Sequence, residues 1–419
     1  MSNTIFQYLV TGSLFYLTAM ASAFPLMESV QQGGVDCFEC HGRRGLMKKL
    51  DEGREISLFV NRADLHKSVH KGLSCIDCHP DAKSIPHPKL LRPVDCSRCH
   101  EESEDYQESI HGKAFSQGDR QAPSCTICHG EHNIVAVNNP QSSVARSRIS
   151  EICISCHEDE EIVSRHELPE PAEIKLYEKS VHGSIIKGDS TYTAAVCIDC
   201  HGTHKIEPSD DPRSETFKPH IPEVCGKCHG DIASEYAKSV HGTAIAGGIL
   251  DAPVCTDCHG EHSITAPTDP TSKVAPKNIP KTCSACHEDM ALAKKYGFPA
   301  RRYTTYLNSY HGVANKYGKT VVANCASCHG IHDILPASAP ESRINPVNLP
   351  DTCGGCHPGA GKNILVGGKI HVEATPESSP GTYYVRKFYT WFISILMIGF
   401  ILYIIVETYG RLRRRHTEK

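Results

Sequence analysis

The 22 cysteines of this 419-residue chain fall into C-x-x-C pairs, and a histidine follows every pair at once. The resulting eleven motifs are Cys37/Cys40/His41, Cys75/Cys78/His79, Cys96/Cys99/His100, Cys125/Cys128/His129, Cys153/Cys156/His157, Cys197/Cys200/His201, Cys225/Cys228/His229, Cys255/Cys258/His259, Cys283/Cys286/His287, Cys325/Cys328/His329 and Cys353/Cys356/His357. Two thiols at this spacing can add to the vinyl groups of one porphyrin, and the adjoining imidazole then faces its iron as the proximal ligand. A zinc ribbon or a disulfide framework uses paired cysteines but needs no histidine directly after each pair. A thioredoxin-like redox pair occurs once, in a βαβ setting. With His at 26 of 419 residues, so many adjacencies exclude chance. The chemistry is covalent attachment of haem c, eleven times.

A six-coordinate iron needs a second ligand, and the other histidines form two series. Between each odd-numbered motif and the next even one stands a Ser-x-His element, which places His70, His111, His182, His241 and His311; His371 holds the corresponding place after the last odd motif. In four of these elements a tyrosine (Tyr106, Tyr177, Tyr236, Tyr306) precedes the serine by three residues, and glycine follows the histidine. The glycine reads as a helix stop, so a short helix is predicted to end at the ligand. The second series follows the even motifs: His132, His204, His262 and His332 in C-x-x-C-H-G-x-H, and His87 after a longer spacer. A residue three beyond the proximal histidine cannot reach round the porphyrin edge, so this series is predicted to serve neighbouring haems and to hold consecutive haems side by side. Six and five distal candidates match eleven proximal ones. Of the 26 histidines, His66, His166, His220 and His416 are left over and read as solvated surface residues.

Residues 24–380 give each motif about 32 residues, less than the roughly 40 below which a segment seldom builds its own core. The porphyrins must therefore supply most of the apolar interior, and the chain without them is predicted to be largely unfolded. Pro-, Ser- and Asp-rich connectors such as 208–222 and 267–280 carry no alternating apolar runs. The fold class expected is mainly short α-helices and coil with little β, an elongated array of haem pairs across 24–372.

Residues 1–23 hold an apolar run ending in Ala21-Ser22-Ala23 and read as an export signal, although no Lys or Arg precedes the run. Residues 373–387 read as a linker. The uncharged stretch 388–406 is long enough to cross a bilayer, flanked by Tyr389, Trp391 and Tyr409. The basic tail 407–419 with Arg411, Arg413, Arg414, Arg415 and Lys419 then lies in the cytoplasm, with the haem domain on the far side of the inner membrane. The formal charge is −4, and haem propionates add negative charge, so nucleic acid is excluded as a partner.

The segment from Cys37 to His371 resembles the multihaem c-type cytochromes of anaerobic respiration, such as pentahaem donors of nitrite reductase and decahaem conduits of metal reducers. The resemblance implies bis-histidine, low-potential haems forming an electron path. The single C-terminal anchor is similar to that of subunits docked to a quinol-oxidising membrane partner. The expected function is thus electron relay between such a partner and periplasmic or extracellular acceptors. The competing expectation is an oxidoreductase of nitrite, hydroxylamine or tetrathionate type, which needs one open iron. No C-x-x-C-K occurs, and His371 and His87, both off-pattern, are where an open iron would arise.

Overall fold

The computed structural model describes residues 36–49, 53, 55–168, 174–188, 194–359, 371 and 373–417, so the expected signal at 1–23 lies outside the described residues. The chain divides into two units. One comprises residues up to His66 with Lys71–Val94, the other Lys67–His70 with Asp95–Lys419.

In the first unit, the helix Phe38–His41 is followed by two antiparallel strands, Met47–Lys49 and Glu55–Ser57, with Met47 opposite Ser57. This pair is the only sheet among the described residues. Arg62 lies 4.3 Å over the Phe38 ring and pairs with Asp36 at 2.7 Å. Arg92 grips Asp81 at 2.6 Å, and this bond holds the Asp81 carboxyl down to about 2. The second cysteine motif of the unit forms the helix Cys75–Cys78.

The second unit is a succession of short helices joined by turns, which is the expected class of fold. Each even motif makes one five-residue helix: Cys125–His129, Cys197–His201, Cys255–His259 and Cys325–His329. A polar side chain three residues into the motif starts three of them: the Val254 N–H donates to the Asp257 carboxylate at 2.7 Å, Val196 does the same to Asp199, and the Asn324 N–H donates to the Ser327 hydroxyl at 3.1 Å. Glycine stops all four, because Gly130, Gly202, Gly260 and Gly330 have φ of +87°, +82°, +88° and +90°.

Apolar packing is sparse. Ile149, Ile186, Ala194 and Val196 form one buried cluster, and Tyr236, Ile245, Ala252 and Val254 another. Apart from Val196, the most completely buried side chains are serines: Ser109, Ser142, Ser180, Ser239 and Ser272. A buried hydroxyl must be hydrogen-bonded, so these serines mark where the backbone is pinned rather than where oil is packed. The interior left by so few apolar side chains suits the expectation that a large apolar group completes it.

The C-terminal helix runs Pro380–Thr417. It starts inside the stretch read as a linker, since proline is pre-set for the first turn of a helix. Over Pro380–Arg414 its mean hydropathy reaches 2.3, and none of its most apolar stretch is buried. An apolar helix with no protein against it is a candidate membrane span.

Candidate haem sites

The Tyr-x-x-Ser-x-His-Gly element folds as a hinge between two helices, and the serine sits at the joint. Ser239 ends the helix Gly230–Lys238 and caps the helix Val240–Ala246. Its Oγ donates to the Tyr236 carbonyl at 2.7 Å and accepts from the Gly242 N–H at 3.0 Å. Ser109, Ser180 and Ser309 make the same two bonds. The histidine therefore stands in the first turn of the second helix, not at the end of the first as its sequence suggested. The glycine is required by space and not by its φ. A Cβ on Gly112, Gly183, Gly242 or Gly312 would lie 1.9, 2.2, 2.1 or 2.0 Å from the carbonyl oxygen of the tyrosine six residues earlier. The helix-stopping role read into this glycine belongs instead to the glycine of C-x-x-C-H-G.

The tyrosine ties the hinge to the next motif. Tyr106, Tyr177, Tyr236 and Tyr306 donate from Oη to the carbonyls of Pro123, Ala195, Pro253 and Ala323 at 2.6, 2.8, 2.8 and 3.1 Å. Each acceptor lies two residues before an even motif's first cysteine. Burial pushes the Tyr106 and Tyr306 hydroxyls up to about 12, which keeps them protonated donors.

A further clamp had no sequence reading. The N–H of the residue between Ser and His donates to the carbonyl of an isoleucine far along the chain: Val69 to Ile134, Ile110 to Ile206, Val181 to Ile264 at 2.8 Å, and Val240 to Ile334 at 2.9 Å. Each isoleucine stands two residues after a histidine of the even series. The recurrence of His-x-Ile at His132, His204, His262 and His332 is the signal that would have found it.

These bonds bring imidazoles together in pairs. Each pair joins one motif histidine and one histidine outside the motifs. Centroid separations are 6.1 Å for His41–His87, 5.8 Å for His70–His100, 6.3 Å for His111–His157, 6.1 Å for His129–His204 and 6.5 Å for His182–His229. They are 6.1 Å for His201–His262, 6.2 Å for His241–His287, 6.1 Å for His259–His332, 6.0 Å for His311–His357 and 6.2 Å for His329–His371. Ordinary aromatic contacts span a wider range, about 4.5–7 Å. Two metal–imidazole bonds of about 2.0–2.1 Å placed in line, with half a ring on each side, span about 6 Å. The residues thus fit an iron between each pair. Burial, and the facing imidazole after it, pushes His241 down to about 4, and burial with neighbouring His262 does the same to His201. A neutral imidazole with a free lone pair is the form that binds metal.

The pairing rule refines the sequence expectation. A Ser-x-His histidine faces the proximal histidine of the next odd motif, as His241 faces His287. An even-series histidine faces the preceding even motif, as His332 faces His259, so the contact skips one motif instead of joining consecutive ones. His371 departs from the series in which its position put it: it faces His329, an even motif. Its ring Nδ1 is 3.0 Å from Thr305 Oγ1, whose own proton goes to the Arg302 carbonyl at 2.9 Å. Thr305 therefore accepts from Nδ1, which leaves Nε2 as the ring nitrogen with the lone pair. His87, with its long spacer, faces His41 in the first unit. His79 adjoins the helix Cys75–Cys78 in the first unit, and His132 follows the Cys125 motif in the second.

Thiols of successive motifs also meet. Cys37 and Cys75, Cys153 and Cys197, Cys225 and Cys255, and Cys283 and Cys325 are hydrogen-bonding neighbours, each the first cysteine of an odd motif with the first of the next even one. The second cysteine of an even motif faces the following odd motif. Cys128, Cys200 and Cys258 are pushed up to about 11 by burial and then by Cys153, Cys225 and Cys283. From Cys125 onward the attachment points therefore follow one another in space in chain order.

The second cysteines of the odd motifs depart from this arrangement, although the sequence gives both cysteines of a motif the same standing as haem-binding residues. Cys40, Cys99, Cys228 and Cys356 are exposed, and Cys156 is half-buried with its sulfur 3.9 Å from Ser155 Oγ. Among the described residues no thiol faces Cys40, Cys99 or Cys228. Cys156 and Cys356 are neighboured only from the preceding even motif, by Cys128 and Cys328. The reason is where each one falls in its helix. Cys99, Cys228 and Cys356 stand past the ends of the helices Cys96–Arg98, Ile221–Gly226 and Leu349–Gly354. Cys40 sits in the single turn Phe38–His41, and Cys156 in the last turn of the helix Ile149–His157. Cys37, Cys153, Cys225 and Cys283 are held against the next motif, whereas Cys40, Cys99, Cys228 and Cys356 lie toward the surface. Cys156 and Cys286, each in the last turn of its helix, are half-buried, and burial pushes the Cys286 thiol up.

Residues 22–101 match the family model described as cytochrome c7 and related cytochrome c. The chain is a multihaem c-type cytochrome. It is also similar to the multiheme cytochrome MtrA of Shewanella baltica (strain OS185), with 27% identity over 208 residues, 46% of this chain and 52% of that protein. The cytochrome thus spans about half the length of this curated relative. No solved structure matches it. Covalently bound haem c is the cofactor that its cysteine pairs hold.

Two of the leftover histidines are not simply solvated. His166 Nε2 is 3.1 Å from Asp119, and His220 Nδ1 donates to the Ser214 carbonyl at 2.8 Å with its ring edge-on to Phe217. Asn278 and Asn348 give the same bond to Ser272 and Ser342 in later repeats, so His220 holds a connector. His66 and His416 are exposed, as expected.

Proposed function

We propose that this cytochrome is a membrane-anchored electron relay carrying eleven haems, each ligated by two histidines. Bound haem supplies reversible one-electron exchange at iron. The proximal ligands are the eleven motif histidines, and the distal ligands are His70, His87, His111, His132, His182, His204, His241, His262, His311, His332 and His371. The observation that carries this reading is the facing of motif and non-motif imidazoles at one recurring separation, 5.8 to 6.5 Å. It includes His87 and His371, where an open iron would otherwise arise. The chain's own part is to tether each group by two thioethers, to orient the imidazoles through the serine hinge, and to keep successive attachment points adjacent. Cys37, Cys153, Cys225 and Cys283 do the last of these, and Cys40, Cys99 and Cys228 serve only as second tethers. The helix at 388–406 anchors the cytochrome in the inner membrane, with the haem domain in the periplasm and the tail 407–419 in the cytoplasm. Its partners are redox proteins: a quinol-oxidising membrane cytochrome on one side and periplasmic or extracellular acceptors on the other.

The test is haem stoichiometry and electron paramagnetic resonance on one oxidised sample of the full chain. Eleven haems, all low-spin, are expected. A stoichiometric high-spin signal would mean an open iron and the oxidoreductase reading in place of the relay.

A further inference from the structure

The residue four positions before the tyrosine of each hinge changes sign along the chain. It is Glu102, Glu173, Ile232 and Arg302 before Tyr106, Tyr177, Tyr236 and Tyr306, with Glu173 outside the described residues. Glu102 opens the helix Glu102–Glu108 and Arg302 opens the helix Arg302–Leu307, so the two occupy the same place in their repeats. A Glu102 carboxylate oxygen is 3.9 Å from Nδ1 of His100. Arg302, half-buried, donates from Nη1 to the His371 carbonyl at 3.0 Å.

His100 belongs to the third motif, and His371 faces His329 of the tenth motif at 6.2 Å between ring centres. Like positions in two repeats therefore carry opposite charges, each beside a ligand candidate of one haem.

We propose that this position builds a potential step into the relay, with Arg302 making the tenth haem easier to reduce and Glu102 making the third harder. Reduction adds an electron to the haem, so a fixed positive charge beside an axial ligand favours the reduced state and a negative one opposes it. Arginine keeps its charge at every working pH. Electrons then reside preferentially toward the C-terminal, anchored side of the second unit. The inference rests on the bis-histidine relay proposed above.

The experiment is a spectropotentiometric titration of the full haem-loaded chain, wild type against Arg302→Gln, Arg302→Lys and Glu102→Gln, with paramagnetic resonance on the same samples. A unit charge about 10 Å from an iron at an effective dielectric of about 20 changes the ferrous/ferric ratio by about tenfold, and tenfold is 59 mV for one electron. Arg302→Gln is expected to move about one of eleven haems to lower potential by that factor, and Arg302→Lys to leave it in place. Glu102→Gln is expected to move one other upward by a smaller factor, because its carboxylate is exposed and screened. All samples stay low-spin. An unchanged curve for Arg302→Gln overturns the proposal, as does a shift that Arg302→Lys shares. A shift accompanied by a stoichiometric high-spin signal also overturns it, since Arg302 would then serve only to hold His371. If Arg302→Gln does not accumulate, Glu102→Gln decides: a downward or absent shift refutes the step. High-spin haem in the wild type would sink the relay reading itself, independently of either charge.

Discussion

Replacing Gly242 with alanine separates two accounts of the hinge. On helix propensity alone the change should help, because glycine inside a helix costs roughly 0.5–1 kcal/mol relative to alanine. The geometry says the opposite. The new Cβ would meet the Tyr236 carbonyl oxygen at 2.1 Å and the Ala237 Cα at 2.8 Å, both backbone atoms that no side-chain rotation can move. The first of these falls more than about 1 Å short of van der Waals contact, so the two helices must separate. Overpacking of this kind costs about 1–3 kcal/mol, and subtracting the recovered propensity leaves a net loss centred on about 1 kcal/mol. Separation would also draw Ser239 away from the Tyr236 carbonyl and shift His241 relative to His287, now 6.2 Å apart between ring centres. The assay is denaturant unfolding of the haem-loaded chain, with paramagnetic resonance on the native sample. A lower midpoint with a high-spin signal from about one haem is expected. If Gly242→Ala is neutral or more stable and wholly low-spin, the steric account of this glycine is wrong.

Three further outcomes follow from the same geometry. Val240→Pro removes the N–H that donates to the Ile334 carbonyl at a helix position where proline is otherwise well tolerated, so it should destabilise by about 0.5–1.5 kcal/mol in unfolding experiments. Tyr310→Pro, at the matching place in a repeat where no such bond forms among the described residues, should be close to neutral; equal losses in the two variants would dismiss the clamp. Tyr236→Phe deletes the 2.8 Å bond to the Pro253 carbonyl and should cost about 1 kcal/mol while every haem stays low-spin, because the histidine is held by the serine and not by the phenol. His371→Ala should leave one haem high-spin by paramagnetic resonance, and an all-low-spin spectrum would remove His371 from the ligand set.

What the sequence determined was the chemistry, and it did so because that chemistry is local. Two thiols and an imidazole within five residues attach one haem whatever the rest of the chain does, so the motifs from Cys37 to His357 were legible without a fold. The class of fold was legible too, since about 32 residues per motif leave room for short helices and little else. So was the apolar C-terminal stretch, a property of composition. Tertiary structure decided which imidazole faces which, because that depends on contacts between residues dozens of positions apart. His332 meets His259 and not a haem beside it, and His371 crosses from the series suggested by its place to face His329. It also separated the two cysteines of an odd motif, which the pattern writes alike: Cys225 meets Cys255, while Cys228 lies at the surface. The hinge glycines show the same division. In sequence, a glycine after a histidine reads as a helix stop, a statement about its own backbone. In space, Gly242 is needed because the Tyr236 carbonyl six residues earlier occupies the volume a side chain would take. Local pattern carries what one residue's dihedral angles and neighbours require, and only the folded chain carries what two distant atoms exclude.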